Sequence, residues 1–348
     1  MNKDELIAQI GDYFPPEVME LVTAAMVSSI AFVPLAGDSG PGATRFGGVP
    51  DLPPAIVWPY HQDIDIARLE AMAGRSHREH IRSHAGAPLP LSFVAQIDLA
   101  EARGLGSIAS DLPGQGRLLF FYDYALGPWD DGPGVARVIW DQSEPAQLRA
   151  AVLPARLQAL DSGARAAYAA EIARHGWEVE EDYNPGYIAP AVPMQLVEDW
   201  SLLSASAVES TGMAVLENTL VTEPGDSETQ ISLYDLYIDF YPEDPNPVEQ
   251  AFGYLGHRLL GYPEPEQDDP RYGPAFEDFL DGRAEDDRLR QVFFDQQRQR
   301  AADWRLLLQV DIARWLQTGT EGTVYFLIRR EDLRARRFDR VWAVYQQT

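Results

Sequence analysis

The stretch LSFVAQIDLAEARGLGSIASDLPGQGRLLFFYD, residues 91–123, decides the fold, because a similar stretch, LLLQVDIARWLQTGTEGTVYFLIRRED, occupies residues 306–332. In each, an apolar strand runs into Gln-(Ile/Val)-Asp-(Leu/Ile)-Ala, and a polar connection with glycine leads to a second apolar run. In the first copy, apolar and polar residues alternate with a period of two, which is typical of a strand. We call these stretches the first and second hairpin. Their likeness predicts an internally duplicated chain.

Strands of this pattern joined by short polar turns favour antiparallel pairing, with helices at the periphery. We therefore predict an α+β fold, internally duplicated, with a mainly antiparallel sheet or sheets, peripheral helices and long Gly/Pro-rich loops. Such loops are expected at 32–59 and 242–274. The predicted division is an N-terminal helical segment at 1–45, a first half of the body at 46–200 and a second half at 201–348. The two halves are expected to pack as one compact domain.

Patterns outside the hairpins predict further elements. Strands are expected at 135–140, 190–200, 234–241 and 339–345, where short apolar runs lie between turn residues. A long polar helix with a narrow apolar stripe is expected at 284–303. These elements provide enough strands to extend a sheet on either side of the hairpins.

The composition of the chain limits its partners. A formal net charge of −26 over 348 residues repels the phosphates of nucleic acids and anionic membrane surfaces, and is compatible with a basic protein partner. The absence of cysteine excludes disulfides and cysteine metal sites and suits a reducing compartment. The longest uncharged run, 21–37, is shorter than the ~20 residues of a spanning helix, and no secretory signal is found. We predict a cytoplasmic protein that binds neither nucleic acid nor membranes.

Two polar pairs occur in both hairpins: Gln96 with Asp98, and Gln309 with Asp311. If a pseudo-two-fold axis relates the copies, the two aspartates face each other, and close carboxylates shift each other's pKa or bind a divalent cation. An aspartate at a strand end equally caps the next turn or helix, and a neighbouring glutamine bonds to an adjacent strand. Both interpretations stay open, and all four residues are candidates for ligand binding.

His257 in the segment GHRLLGYP is the strongest single candidate for a site, with Tyr262 close to it in sequence. Imidazole titrates near neutrality and therefore suits acid–base work or anion binding. Loops between rigid elements often carry function. The alternative is a histidine whose ring bridges backbone groups of the loop.

Three further histidines, His77, His80 and His84, form a weaker candidate for a metal site. On one helix they share a face, and three imidazoles can bind zinc. Interleaved arginines favour a solvated segment instead. The sequence contains neither a G-x-x-x-x-G-K-[ST] phosphate loop nor a G-x-S-x-G nucleophile elbow, so no catalytic residue is assigned and no cofactor is predicted.

Several short motifs occur in an order that resembles the YwqG-like family of bacterial proteins. They are FGGVP at 46–50, LSFVAQIDLAE at 91–101, GRLLFFYD at 116–123, HRLLGYP at 257–263 and the C-terminal stretch at 306–347. The resemblance implies an intracellular, duplicated α+β protein, and it implies no reaction. Residues 60–87 depart from the family, in which a shorter connection is expected, so this segment is interpreted as an insertion.

These observations favour a non-catalytic protein-binding module whose acidic surface meets a basic protein, for example an antitoxin or immunity-type inhibitor of a basic toxin. The alternative is an enzyme or small-ligand receptor with a site between the two halves, formed by Asp98, His257 and Asp311. Convergence of these three side chains on one pocket would favour the alternative, and separate turns would count against it. A third possibility is a scaffold whose helix at 284–303 pairs with a partner helix.

Overall fold

The structure, a computed structural model, describes residues 1–37, 40–74, 77–178, 183–210, 213–222, 229–240 and 256–347. Its helices are α1 Lys3–Tyr13, α2 Met19–Ala24, α3 Ile66–Met72, α4 Arg78–Ala85, α5 Leu99–Ala102, α6 Ala155–His175, α7 Met213–Asn218, α8 Leu233–Ile238, α9 Tyr272–Leu280, α10 Asp287–Phe294, α11 Gln297–Ala301, α12 Ile312–Leu316 and α13 Arg330–Arg334. Its strands are β1 Met26–Pro34, β2 Arg45–Phe46, β3 Asp51–Leu52, β4 Ser92–Asp98, β5 Arg117–Tyr122, β6 Ala136–Asp141, β7 Arg149–Ala150, β8 Val192–Leu202, β9 Leu220–Thr222, β10 Gln230–Ser232, β11 Arg258–Leu259, β12 Trp304–Asp311, β13 Thr323–Arg329 and β14 Trp342–Gln346.

Ten of the described strands form one sheet in the order β14-β13-β12-β11-β1-β8-β2-β4-β5-β6. Neighbouring strands run antiparallel throughout, and β1 and β8 pair along the whole length of β1 at the centre. We call β2, β4, β5 and β6 the first wing, and β11, β12, β13 and β14 the second wing. The prediction of a mixed fold with a mainly antiparallel sheet is confirmed.

The sheet curls so that the two wings face each other. Phe120 on β5 and Phe326 on β13 meet edge to face, with their ring centroids 5.3 Å apart. The backbone of Gly132, shortly before β6, exchanges hydrogen bonds of 2.9 and 3.1 Å with Ala343 on β14. The outer edges of the sheet therefore almost close into a barrel, and the largest core cluster contains buried residues of both wings.

Each hairpin forms as its pattern predicts. Strand β4 pairs with β5, and β12 pairs with β13, each with one irregularity in the register, between Phe93 and Ala95 and between Leu306 and Leu308. The side chains of β4 up to Ile97 are buried on both faces, because one face lies against the opposite wing and the other is covered by loops and helices. The predicted strands at 135–140, 190–200 and 339–345 are also present, as β6, β8 and β14 with shifted ends.

A separate apolar cluster lies beside the sheet, where α1 and α2 pack with α8 and the β9–β10 pair. We call residues 1–25, which contain α1 and α2, together with residues 213–222 and 229–240, the helical module. The strand predicted at 234–241 is wrong over residues 234–240, because residues 234–238 lie in α8 and no strand follows them, and residue 241 lies outside the described part of the chain. The N-terminus of α8 is capped by Ser232, which accepts a hydrogen bond from the backbone N–H of Asp235. Helical spacing buries Leu233 and Tyr237 against the cluster.

The helix predicted at 284–303 is also wrong in its length, because two short helices, α10 and α11, occupy this region. The apolar stripe of α10 ends at Phe293, which packs on Phe276 with ring centroids 4.9 Å apart. A turn closed by the backbone bond from Gln296 to Phe293 then redirects the chain. Within the described ranges, no helix is long and apolar enough to cross a membrane. Residues 242–255 of the loop predicted at 242–274 lie outside the described part of the chain.

Candidate functional site

Gln96 on β4 ties the first hairpin to the loop that precedes it. Its buried carboxamide accepts a hydrogen bond from the backbone N–H of Asp51 at 3.0 Å and donates to the carbonyl of Ala43 at 2.9 Å. Arg45, directly opposite on β2, donates to the Asp51 carboxylate at 2.7 Å. Burial opposes the ionisation of Asp51, but the hydrogen bonds and charge around it, led by Arg45, lower its pKa on balance. These side chains satisfy the loop's backbone against the sheet.

Gln309 on β12 makes the matching contact in the second hairpin. Its Oε1 accepts a hydrogen bond from the backbone N–H of Glu264 at 2.9 Å. Arg258, opposite Gln309 on β11, donates to the Glu264 carboxylate at 3.4 Å and to the Tyr262 carbonyl at 3.1 Å. The same arrangement of glutamine, arginine and acidic residue thus occurs in both wings, with a longer ion pair in the second.

The two aspartates of the hairpins cap helices. Asp98 Oδ1 accepts from the backbone N–H of Ala100 at 2.9 Å at the start of α5. Asp311 Oδ1 accepts from the backbone N–H of Arg314 at 2.8 Å at the start of α12. Each carboxylate therefore satisfies a helix N-terminus, which is the alternative interpretation that the sequence left open.

His257 lies beside Asp311 and is held neutral. Its Nδ1 accepts a hydrogen bond from the Asp311 backbone N–H at 3.1 Å, whereas Asp98 donates its own N–H to the hydroxyl of Thr44 at 3.1 Å. The imidazole stacks on Phe46 with ring centroids 4.4 Å apart. Burial, together with the charge of a nearby arginine, lowers the pKa of His257 to about 3. The described contacts thus join His257 to Asp311 and place Asp98 on a different turn.

Tyr262 lies apart from these residues, on a cavity of about 180 Å³ between the halves of the chain. The cavity is lined by residues from the connection before β5 and from the second wing and its neighbourhood: Ile108, Asp111, Leu260, Gly261, Tyr262, Arg305, Leu306 and Leu333. Sequence reasoning selected Tyr262 but missed Arg305, which is surrounded in sequence by apolar strand residues.

The three histidines of the weaker metal candidate are used locally. His80 Nε2 bonds to the carbonyl of Ala125 at 2.6 Å, and His84 Nδ1 bonds to the carbonyl of His80 at 2.8 Å, so both rings act as donors. His77 packs on Trp129 with ring centroids 5.1 Å apart. Within the described residues, no group of three or more histidine or acidic side chains has an arrangement that could hold a metal ion.

A buried ionic group was missed by the sequence analysis. His61 Nδ1 bonds to the Asp123 carboxylate, and its Nε2 lies 3.4 Å from Asp130 Oδ2. Burial alone would lower the pKa of His61, but the hydrogen bonds and charges of the two carboxylates raise it to about 9. Asp123 and Asp130 both lie in the connection between β5 and β6, whereas His61 precedes Asp123 by 62 residues. The group joins the segment after β3 to the loops on either side of Gly127.

A family model described as "Domain of unknown function (DUF1963)" matches residues 44–346. A comparison with curated proteins found no match to the chain. The matched range contains both hairpins and both wings, whereas α1, α2 and β1 precede it. Since the model matches most of the chain, the chain belongs to the family of this domain of unknown function.

Proposed function

We propose that the chain is a non-catalytic protein-binding module that presents an acidic surface to a basic protein partner. The observation that carries this proposal is the charge of the helical module, in which Lys3 is the only basic residue. The acidic side chains of the module that are exposed are Asp4, Asp12, Glu17, Glu20, Glu217, Asp235 and Asp239. The ammonium of Lys3 lies over the Trp200 ring, 4.7 Å from its centroid.

Such a concentration of one sign of charge attracts a basic partner over a distance of about a Debye length, ~8 Å at physiological salt. It raises the rate of encounter and discriminates against acidic proteins and nucleic acids. An antitoxin or immunity-type inhibitor of a basic toxin is the concrete form of this proposal. The cytoplasm is the proposed location, since a chain without cysteine suits a reducing compartment.

Native mass spectrometry of protein isolated gently from its own host cells tests the proposal. We expect a second, basic polypeptide in stoichiometric amount with the wild-type chain. The adduct should be lost in a variant with Asp12→Asn, Glu17→Gln and Glu20→Gln. It should persist in a control that removes the same charge from other exposed positions, with Glu277→Gln, Asp287→Asn and Glu321→Gln. An adduct that both triple variants retain, or its absence from the wild type, would contradict the proposal.

We also propose that the chain is internally duplicated and related to the YwqG-like family. The duplication is supported by the repeated contacts of Gln96 and Gln309 and by the matching irregularities in β4 and β12. The family relationship is supported by the order of the sequence motifs alone. If the two strands occupy equivalent environments, a chimaera in which residues 93–98 replace 306–311 should fold with a cooperative thermal transition. Loss of that transition would count against equivalence.

The alternative function, a small-ligand receptor with a site between the halves, is favoured by a different observation. The cavity beside Tyr262 takes its lining from Ile108 in the first half and Leu333 in the second. Catalysis by Asp98, His257 and Asp311 stays a prediction, and the hydrogen bonds of these side chains support a structural role instead.

A further inference from the structure

Arg305 on β12 is a half-buried cation to which the described residues provide neither a hydrogen bond nor an ion pair through its guanidinium. Burial and the positive charge of Arg330 lower the pKa of Arg305 on balance, although the charges of Tyr262 and Glu209 act in the opposite direction. Other arginines that are almost wholly buried each have a carboxylate partner: Arg45 with Asp51, Arg117 with Asp141, Arg258 with Glu264 and Arg271 with Asp269. An anion beside Arg305 would provide the compensation that these pairs already have.

The corresponding position of the first wing has no such cation. Ser92 precedes Gln96 by the same interval as Arg305 precedes Gln309. The Ser92 hydroxyl donates to the carbonyl of Tyr187 at 2.9 Å and is therefore satisfied within the fold. Arg305 is thus a feature of the second wing alone.

The turn after the first strand of each wing also differs between the wings. We call these turns, Gly47–Gly48 after β2 and Leu260–Gly261 after β11, the entry turns. Gly47 has a φ of 63°, and a Cβ there would lie 2.0 Å from the carbonyl oxygen of Pro190. The backbone at Pro190 therefore occupies the space that a side chain at position 47 would need. The matching residue of the second wing, Leu260, keeps a φ of 60° despite its side chain, a conformation that residues other than glycine rarely adopt. Its buried side chain and the following Gly261 line the cavity that contains Arg305.

The cavity combines one cation, Arg305, and one carboxylate, Asp111, with largely apolar walls. Leu260, Leu306 and Leu333 are buried and line it together with the half-buried Ile108. Its volume of about 180 Å³ is smaller than the ~300–1,000 Å³ of sites for drug-sized ligands. A molecule that fits is therefore small, with an apolar body and one anionic end.

We propose that this cavity binds a small aliphatic monocarboxylate, whose carboxylate pairs with the Arg305 guanidinium and whose apolar body contacts Leu306 and Leu333. The planar guanidinium matches the geometry of a carboxylate and binds it through two parallel hydrogen bonds. Asp111 also lines the cavity, so a second negative charge on the ligand is repelled and a monoanion is preferred to a phosphate dianion. The inference rests on the receptor alternative and is independent of the acidic helical module.

Titration of the protein with isovalerate tests this inference. Binding is measured by calorimetry and by the methyl NMR signals of Leu306 and Leu333. Isovaleramide is the uncharged probe of the same shape, and inorganic phosphate is the dianionic probe. The variants are Arg305→Gln, Arg305→Lys and the control Arg288→Gln, which removes an exposed arginine. All retain the acidic residues of the helical module, so the protein-binding proposal is unaffected by the outcome.

We expect isovalerate to bind saturably and to shift both methyl signals. Isovaleramide and phosphate should each bind the wild type about 10-fold or more weakly than isovalerate does, because the amide lacks the charge that pairs with the guanidinium and phosphate is repelled by Asp111. Arg305→Gln should bind isovalerate about 10-fold or more weakly, because it loses the hydrogen bonds to the carboxylate. Arg305→Lys should recover part of the affinity, and Arg288→Gln all of it. Equal affinity for the acid and the amide, unchanged binding in Arg305→Gln, or no saturable binding by the wild type would overturn the proposal.

Discussion

The two wings share a plan of hydrogen bonds and differ in what surrounds it. In each, a glutamine holds the backbone of a loop, an opposite arginine reaches an acidic residue, and an aspartate caps a short helix. The entry turn is Gly47–Gly48 in the first wing and Leu260–Gly261 in the second, all at positive φ. The shared polar residues therefore hold the fold, and Arg305, which is not shared, lines a cavity.

A buried histidine in each half of the chain shows the same contrast. His61 lies between the carboxylates of Asp123 and Asp130 and is held charged, whereas His257 meets a backbone N–H and is held neutral. One residue type thus has opposite charge states in two buried sites, because carboxylates surround one ring and an apolar, cationic environment surrounds the other.

The largest expected effect concerns the entry turn of the first wing. Gly47→Ala should lower the free energy of unfolding by about 4 kcal/mol, because the new Cβ collides with Pro190 and the left-handed backbone is strained. Urea unfolding measures this loss. The matched control is Gly163→Ala, in the interior of α6 with nothing within 4 Å of its added Cβ, which should stabilise by up to ~1 kcal/mol. Similar effects of the two substitutions would contradict the packing of this turn.

The two histidines should make stability depend on pH in opposite directions. His61 should cause a loss of stability at high pH, which we call the alkaline limb, and His257 a loss at low pH, the acidic limb. The folded pKa of His61, about 9, lies above the unfolded value of ~6.5, so its stabilisation of about 3 kcal/mol is complete below pH ~6.5 and is lost as the pH rises through 9. The folded pKa of His257, about 3, lies below that value, so its contribution is present above pH ~6.5 and is lost as the pH falls towards 3.

Urea unfolding across this pH range measures both limbs. His61→Gln should flatten the alkaline limb, and His257→Gln should reduce the acidic limb, whereas the exposed His175→Gln should leave both unchanged. An alkaline limb that persists in His61→Gln would show that the ionic group does not hold a charged imidazole.

The glutamines sharpen the comparison between the wings. Gln96→Leu leaves the Asp51 N–H and the Ala43 carbonyl without a partner and should cost about 2–3 kcal/mol. Within the described residues, Gln309→Leu removes one bond, to Glu264, and should cost about 1 kcal/mol. Thermal unfolding of both variants side by side checks the order. A larger loss in Gln309→Leu would mean that the second wing depends on its glutamine more than its contacts indicate.

The smallest expected effect is that of Arg305→Gln on stability. Since no described residue pairs with the guanidinium, the free energy of unfolding should change by less than about 0.5 kcal/mol. Arg271→Gln, which breaks the buried pair with Asp269, provides the contrast and should cost several kcal/mol. A large loss in Arg305→Gln would assign this arginine to the fold and not to a ligand.

The hairpins could be predicted from the sequence because their signal is local. Alternation of apolar residues identified β4, and dense apolar runs identified β5 and β13. The strand predicted at 234–241 was wrong over residues 234–240 because the aromatic and branched residues there also have helical spacing, and the cap by Ser232 favours the helix. Local patterns thus indicate elements well where only one period fits.

The site was less predictable, because its geometry depends on residues that are distant in the chain. The repeated glutamines and aspartates were found by comparing the two hairpins. An aspartate at the end of a strand is equally compatible with capping a helix and with binding a ligand, and only the hydrogen bonds in the structure distinguish the two roles. Asp123 and Asp130, the partners of His61, lie 62 or more residues after it, so no local spacing links them to the histidine. Arg305 is identified because no described residue bonds to its guanidinium, and a sequence does not show which side chains are paired.

The most direct test of the division between shared and unshared residues is the isovalerate affinity of Gln309→Leu and Arg305→Gln, measured on the folded variants under one condition. Our account predicts that Gln309→Leu binds like the wild type despite its lower stability, and that Arg305→Gln loses about 10-fold or more in affinity while its stability is unchanged. The reverse result, with binding lost in Gln309→Leu and retained in Arg305→Gln, would place function on the shared residues and contradict the account.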